Sequence, residues 1–346
     1  MQENKKMEMI TGFKYAAIAD IIFSGVFLKS QVDSLNLTDS VENHVGYDDY
    51  IFVRNKKFTI NENDIIFCKT EYIYELFYLL DKQCDFKNIK LITHQSDMKV
   101  GKKLYKKKPE CISKWYAINV DGSFHDLIPI PLGLANFHDK NLSENYFENQ
   151  HLSKDYFSEK KNLLYLNFNP NTNFSHRKNI YDIFREKPWA SLDEAPLSNV
   201  DYKNKMAFHK FTLAPWGNGI DTHRFWEALY AKSIPVTKKH LIYSSFKSIP
   251  MILVDEYSQI TEEYLENSMQ ILNAKKATLN CDQLDFQYWK KLICDKSQDI
   301  SNQYKIELVN SWHEYYYFTA NLKHTILSKF KVFNRLRRYF FKITNL

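Results

Sequence analysis

The chain has 346 residues, 44% of them apolar and 25% charged, with a formal net charge of +6. This balance excludes an intrinsically disordered polypeptide and is long enough for two domains with cores of their own. The aromatic load of 25 Phe, 23 Tyr and 6 Trp suits packed α/β layers and also surfaces that stack on sugar rings, two uses that composition does not separate.

Five cysteines (Cys68, Cys84, Cys111, Cys281 and Cys294) are scattered and form no C-x-x-C pair. Neither a disulfide framework nor a zinc site is indicated, and a reducing compartment is expected. N-x-S/T triplets begin at Asn36, Asn141 and Asn173, but without a secretory signal they are read as chance.

The first long apolar run, Tyr15 to Leu28, is interrupted by Asp20 and falls short of the roughly 20 residues of a bilayer span. It is expected to be buried strand or helix. "NDIIFCKT" (63–70), "IKLITHQSD" (89–97), "WYAINV" (115–120) and "DLIPIPLGL" (126–134) are short apolar runs rich in β-branched residues, and "EYIYELFYLLDK" (71–82) has helical spacing. That is βαβ order. "KKLYKKK" (102–108) reads as a solvated loop. Residues 138–160 are polar and carry no strong strand signal, as in a connection between domains. A second series follows, with strands at "NLLYLNFN" (162–169), "HKFTLAPWG" (209–217), "SIPVT" (233–237) and "PMILVD" (250–255), and helices at "SHRKNIYDIFRE" (175–186) and "DTHRFWEALYAK" (221–232). The expected architecture is α/β, with a Rossmann-like domain over 1–150, a second over 151–300, and a helical segment with a basic aromatic tail over 301–346.

Only eight glycines occur in the chain, and Gly217 and Gly219 lie two residues apart between a strand and a helix pattern. Gly217-Asn218-Gly219 is therefore expected to be a βα turn at the carboxyl end of a parallel strand, where ligands of open α/β sheets bind, with Asp221 as the helix N-cap. Glycine lets backbone approach a phosphate closely, and a helix N-terminus offers free N–H groups. His223 and Glu227 share a helix face bordered by Arg224. At a rise of ~1.5 Å per residue, Glu227 stands about 9 Å beyond Asp221, the span from a diphosphate to a ribose. The competing readings of these features are a tight structural turn and an internal Glu–Arg ion pair.

"GNGIDTHRFWEALYAKSIPV" (217–236) resembles the donor-binding motif of the exostosin-like glycosyltransferases. A looser similarity runs through "KLITHQSD", "IPIPLGLAN" and "LLYLNFNPNTNFSHR", from about residue 60 to 290. The resemblance implies the two-domain GT-B fold, in which Rossmann-like domains face each other across a cleft, with the nucleotide-sugar in the C-terminal half. It also implies that Glu227 holds the donor ribose and that Gly217, Asn218, Gly219, Asp221 and Thr222 line its diphosphate, with His223 and Arg224 beside them. Many family members carry Arg before the first glycine; here it is Trp216, so Arg224 or Arg177 is expected to supply the counter-charge.

Sugar transfer with inversion needs neutralisation of the departing diphosphate and a base for the acceptor hydroxyl. No D-x-D metal motif occurs in the sequence, so a metal-independent reaction with no cofactor is expected. His94 and Asp97, at the end of a strand in the first half, are the candidate bases. A dinucleotide-dependent oxidoreductase is disfavoured because Thr222 stands where the third glycine of G-x-G-x-x-G belongs. The basic residues form no known nucleic-acid module. A non-catalytic nucleotide- or sugar-binding subunit of a polysaccharide assembly complex remains the alternative.

The expected partners are a nucleotide-sugar, with UDP as its nucleotide, and a glycan or lipid-linked glycan acceptor. The tail from Lys329 to Leu346 interleaves basic and aromatic residues and is a candidate contact with an anionic membrane. The expected location is cytoplasmic, at the inner face of the membrane.

Overall fold

The first sheet of the computed structural model follows directly from the apolar runs. The structure describes residues 7–35, 37, 41–45, 50–83, 87–135, 156, 160, 162–193, 197–295 and 303–307. β1 (Ile21–Leu28), β2 (Val41–Val45), β3 (Tyr50–Asn55), β4 (Ile65–Lys69), β5 (Ile89–His94), β6 (Ile112–Ala117) and β7 (Leu127–Pro129) form one sheet in the order β7-β6-β5-β4-β1-β3-β2. β1, β4, β5, β6 and β7 are mutually parallel. Every residue of β5 is buried, as befits a parallel strand covered on both faces. β3 runs antiparallel to β1 and to β2, an extension of the sheet that βαβ order does not announce.

The Tyr15–Leu28 run divides between the two expected states. α1 (Gly12–Ala17) is capped by the Thr11 hydroxyl, which accepts from Lys14 N, and the chain then enters β1. α2 (Ile73–Gln83) buries Ile73, Leu76, Phe77, Leu79 and Leu80, the helical spacing expected of it.

The second sheet contains β8 (Asn162–Leu166), β9 (Ala190–Leu192), β10 (His209–Leu213), β11 (Ile234–Lys238) and β12 (Ile252–Val254), ordered β9-β8-β10-β11-β12. All its pairs are parallel. α3 (Asn199–Ala207) precedes β10, and α4 (His223–Tyr230) connects β10 to β11. The α/β class with mainly parallel sheets is thus present.

Two expected helices differ in detail. "SHRKNIYDIFRE" is not one helix but two short ones, Phe174–Arg177 and Ile180–Phe184. Asn179 lies at the junction, a residue whose side chain competes for backbone hydrogen bonds. α4 starts at His223 with Thr222 as N-cap, so Asp221 is not the cap; its carboxylate is drawn elsewhere, as described below. Within 301–346, Gln303–Glu307 is a strand rather than helix, consistent with its alternation of polar and apolar residues.

α5 (Phe286–Cys294) reaches back to the first sheet. Lys90 is buried and donates through Nζ to the carbonyl of Ile293 at 2.8 Å and to that of Asp295, satisfying carbonyls at the helix end. Tyr230 accepts from Ile10 N at 3.0 Å and donates to the Leu284 carbonyl at 2.8 Å. Met1–Lys305 make up one compact unit and Ile306–Leu346 a second. The tail from Lys329 to Leu346 lies outside the described residues, as does most of the 138–160 connection. Among the described residues, no helix is long and apolar enough to cross a membrane.

Candidate functional site

The carboxyl ends of both sheets open onto one cleft of about 830 Å³. All the residues singled out in the sequence line it: His94 and Asp97 from the loop after β5, Arg177 from the helix after β8, and Gly217, Asn218, Gly219, Asp221, Thr222, His223, Arg224 and Glu227 from the β10–α4 connection.

Arg177 is only 4% exposed, yet among the described residues no carboxylate pairs with it. Its Nε donates to the Trp216 carbonyl at 2.8 Å, Nη1 to Asn169 O at 3.1 Å and Nη2 to Pro215 O at 2.7 Å. Three of five N–H donors are thereby used and the guanidinium is locked against the turn. Burial, with the nearby Arg224, pushes its pKa down to about 10, so it remains a cation at neutral pH. Arg224 has a buried Nε with no acceptor and lies 5.9 Å from the centre of the Tyr202 ring. Two cations thus line one cleft without forming an ion pair among the described residues, an arrangement that favours an anionic ligand.

The α4 N-terminus adds to this field. Its cap, Thr222, makes no side-chain bond to the first turn, leaving the first N–H groups of the helix open. Glu227 sits one turn further in, 7% exposed, and accepts a hydrogen bond from Tyr202 Oη through Oε2 at 3.0 Å. Oε1 is left for another donor. The internal Glu–Arg ion pair of the competing reading is not formed among the described residues.

The two glycines divide their tasks. Neither has positive φ. A Cβ on Gly219 would lie 2.8 Å from Asn119 Oδ1, the atom that accepts from Ile220 N at 2.9 Å and Asp221 N at 3.0 Å. Asn119, at φ 53°, also donates to Ser96 O at 2.9 Å. Gly219 is therefore small to admit a side chain from the first sheet's loops. A Cβ on Gly217 would meet nothing closer than Arg177 Nη2 at 3.4 Å, so this glycine keeps open the space beside the guanidinium.

Asp221 is 3% exposed. Its oxygens accept from Trp226 Nε1 at 2.9 Å, Thr222 N at 2.9 Å and Leu132 N at 2.9 Å. Burial raises its pKa to about 7 against these bonds. The carboxyl is fully engaged in joining the two halves and has no capacity left to line a diphosphate.

His94 is equally committed. Its Nδ1 accepts from Gln95 N at 2.8 Å, which places the ring proton on Nε2, a buried atom beside the Pro131 and Leu132 carbonyls without a well-formed bond. Burial, with His223 nearby, lowers its pKa to about 3. A ring with no free lone pair and so low a pKa is unsuited to take a proton. Asp97 is exposed and makes no side-chain contact among the described residues.

Tyr202, which bonds Glu227, and Asn119, which bonds the 219–221 turn, are site positions that sequence reasoning misses. The α3 pattern around Tyr202 has no strong amphipathic signal, and Asn119 is a single loop residue whose partners are about a hundred positions away. Among the described residues, no group of three or more His, Cys, Asp or Glu side chains is placed to hold a metal ion. No protein-family model matches the chain, and no curated protein matches it significantly.

Proposed function

We propose that the chain is an inverting glycosyltransferase of the GT-B type, with two Rossmann-like domains facing across the cleft, related to the exostosin-like enzymes that its 217–236 motif resembles. It moves a sugar from a nucleotide-sugar, with UDP as the nucleotide, to a glycan or lipid-linked glycan in surface polysaccharide synthesis. The observation that carries the reading is the unpaired cation set, Arg177 and Arg224, beside an open helix N-terminus with Glu227 one turn deeper. The cations and the first N–H groups of α4 take the diphosphate. Glu227 accepts from the ribose hydroxyls, and Tyr202 holds its carboxylate in place. The same groups neutralise the departing diphosphate, so transfer proceeds without a metal.

A thermal-shift panel of UDP, GDP, CMP and ADP, followed by nucleotide release from the matching nucleotide-sugars in EDTA, tests this. A bound nucleotide at 100 times its dissociation constant stabilises the fold by about 2.7 kcal/mol. Stabilisation by none of the four overturns the reading. Binding without turnover under any metal condition favours a non-catalytic nucleotide-binding subunit instead.

A further inference from the structure

We infer that His223 is the general base of the transfer reaction, a role that rests on the glycosyl-transfer reading above. Its Nδ1 lies 2.7 Å from the Gly133 carbonyl oxygen. A carbonyl only accepts, so Nδ1 must carry the ring proton, and the neutral imidazole holds its lone pair on Nε2. Nε2 has no partner among the described residues, and the part-exposed side chain lines the cleft.

The orientation is held from both sides. Gly133 has φ 68°, and a Cβ there would come within 2.3 Å of the Ile10 carbonyl oxygen, so only glycine presents this carbonyl to the ring. The adjoining Leu132 N is fixed by Asp221. His223 is also the first residue of α4, and it lines the same cleft as Arg177, Arg224 and Glu227, the groups assigned to the donor.

The other titratable groups of the cleft are less free. Asp221 and His94 have their lone pairs committed, Glu227 is bonded to Tyr202, and Glu71 is paired with Lys69. Asp97 is exposed and has no hydrogen bond or ion pair among the described residues to hold its carboxylate in one orientation.

In the step, the acceptor O–H bond breaks and its proton passes to His223 Nε2. The oxygen's electron pair forms the new bond to the anomeric carbon. The bond from that carbon to the phosphate oxygen breaks, and its electrons leave on the nucleoside diphosphate. Water can take the acceptor's place, which makes donor hydrolysis a usable assay.

His223→Asn retains an N–H for the Gly133 carbonyl but has no basic nitrogen. Using nucleotide-sugars of the base that stabilises the wild type, this variant should bind nucleotide within about twofold of wild type while its nucleotide release falls about 100-fold or more. Imidazole in solution should restore part of the release by His223→Ala, which a structural role would not produce. Near-wild-type turnover by His223→Asn, loss of its nucleotide binding, or a loss seen only in Asp97→Asn would each overturn the assignment. Turnover that His223→Asn retains overturns this proposal alone, whereas a wild type that binds nucleotide but never turns over overturns the glycosyl-transfer reading as well. A wild type that binds none overturns the glycosyl-transfer reading and this proposal with it.

Discussion

Arg177 and Glu227 are both buried charges, and they are satisfied in opposite ways. Among the described residues, the arginine gives three bonds to backbone carbonyls and finds no acid; the glutamate takes one bond from a phenol and finds no base. Each lines the cleft with bonding capacity that these contacts do not use. Glu227→Ala is expected to leave a folded protein whose UDP affinity is about 10- to 100-fold weaker, the worth of a hydrogen bond to a charged group, measured by titration calorimetry. Wild-type affinity in that variant would remove Glu227 from the ribose role. The i, i+4 relation of His223 and Glu227 is legible in the sequence because helical geometry is local. The Tyr202 bond is not, because α3 and α4 are adjacent in space through the order of β8, β10 and β11.

The element that organises the site is the 214–222 connection, with its two glycines in different surroundings. Gly219→Ala must displace Asn119, threatening its bonds to Ile220 N and Asp221 N, and should cost about 1–3 kcal/mol by overpacking. Gly217→Ala meets only an ordinary van der Waals contact at 3.4 Å and should keep most of the stability. Its effect is expected on nucleotide affinity, through the methyl group placed beside Arg177. Urea unfolding and UDP titration of the pair test both halves, and equal stability losses would contradict the division. The pattern of glycines identifies a special turn correctly, but its reason is split: one glycine faces protein, the other the open cleft.

Across the whole molecule, Asp221 and His94 are buried at the junction of the two sheets and respond to pH with opposite sign. Asp221 is raised from 3.8 to about 7, so its neutral form is favoured in the fold. The stability it contributes is complete below pH 4 and is lost as pH rises through 7. His94 is lowered from 6.5 to about 3, so the stability it contributes is complete above pH 6.5 and is lost as pH falls toward 3. Between pH 4 and 6.5 the two slopes offset each other. Asp221→Asn removes one of them, and the stability of this variant should rise by about 1–3 kcal/mol from pH 4.5 to 6.5, while the wild type changes little from this pair. Urea denaturation across that range checks the sign, and a variant as flat as the wild type would refute the coupling.

The amino-acid sequence by itself determined the parallel strands β4, β5, β8, β10 and β11, the amphipathic helix α2, the helix at 223–230 and part of the cleft lining, from His94 to Glu227 but without Tyr202. Each of these is written in local periodicity or in residues close together along the chain. Only the tertiary structure decided the antiparallel addition of β2 and β3, the return of α5 to the first sheet, and the partners of Asn119, Asp221 and His223. These depend on which loops the two sheets bring together, and burial then reassigns the side chains. Asp221 becomes a clasp rather than a cap, His94 a buried ring whose Nδ1 accepts from Gln95 N, and His223 a histidine whose tautomer is set by a carbonyl ninety positions away.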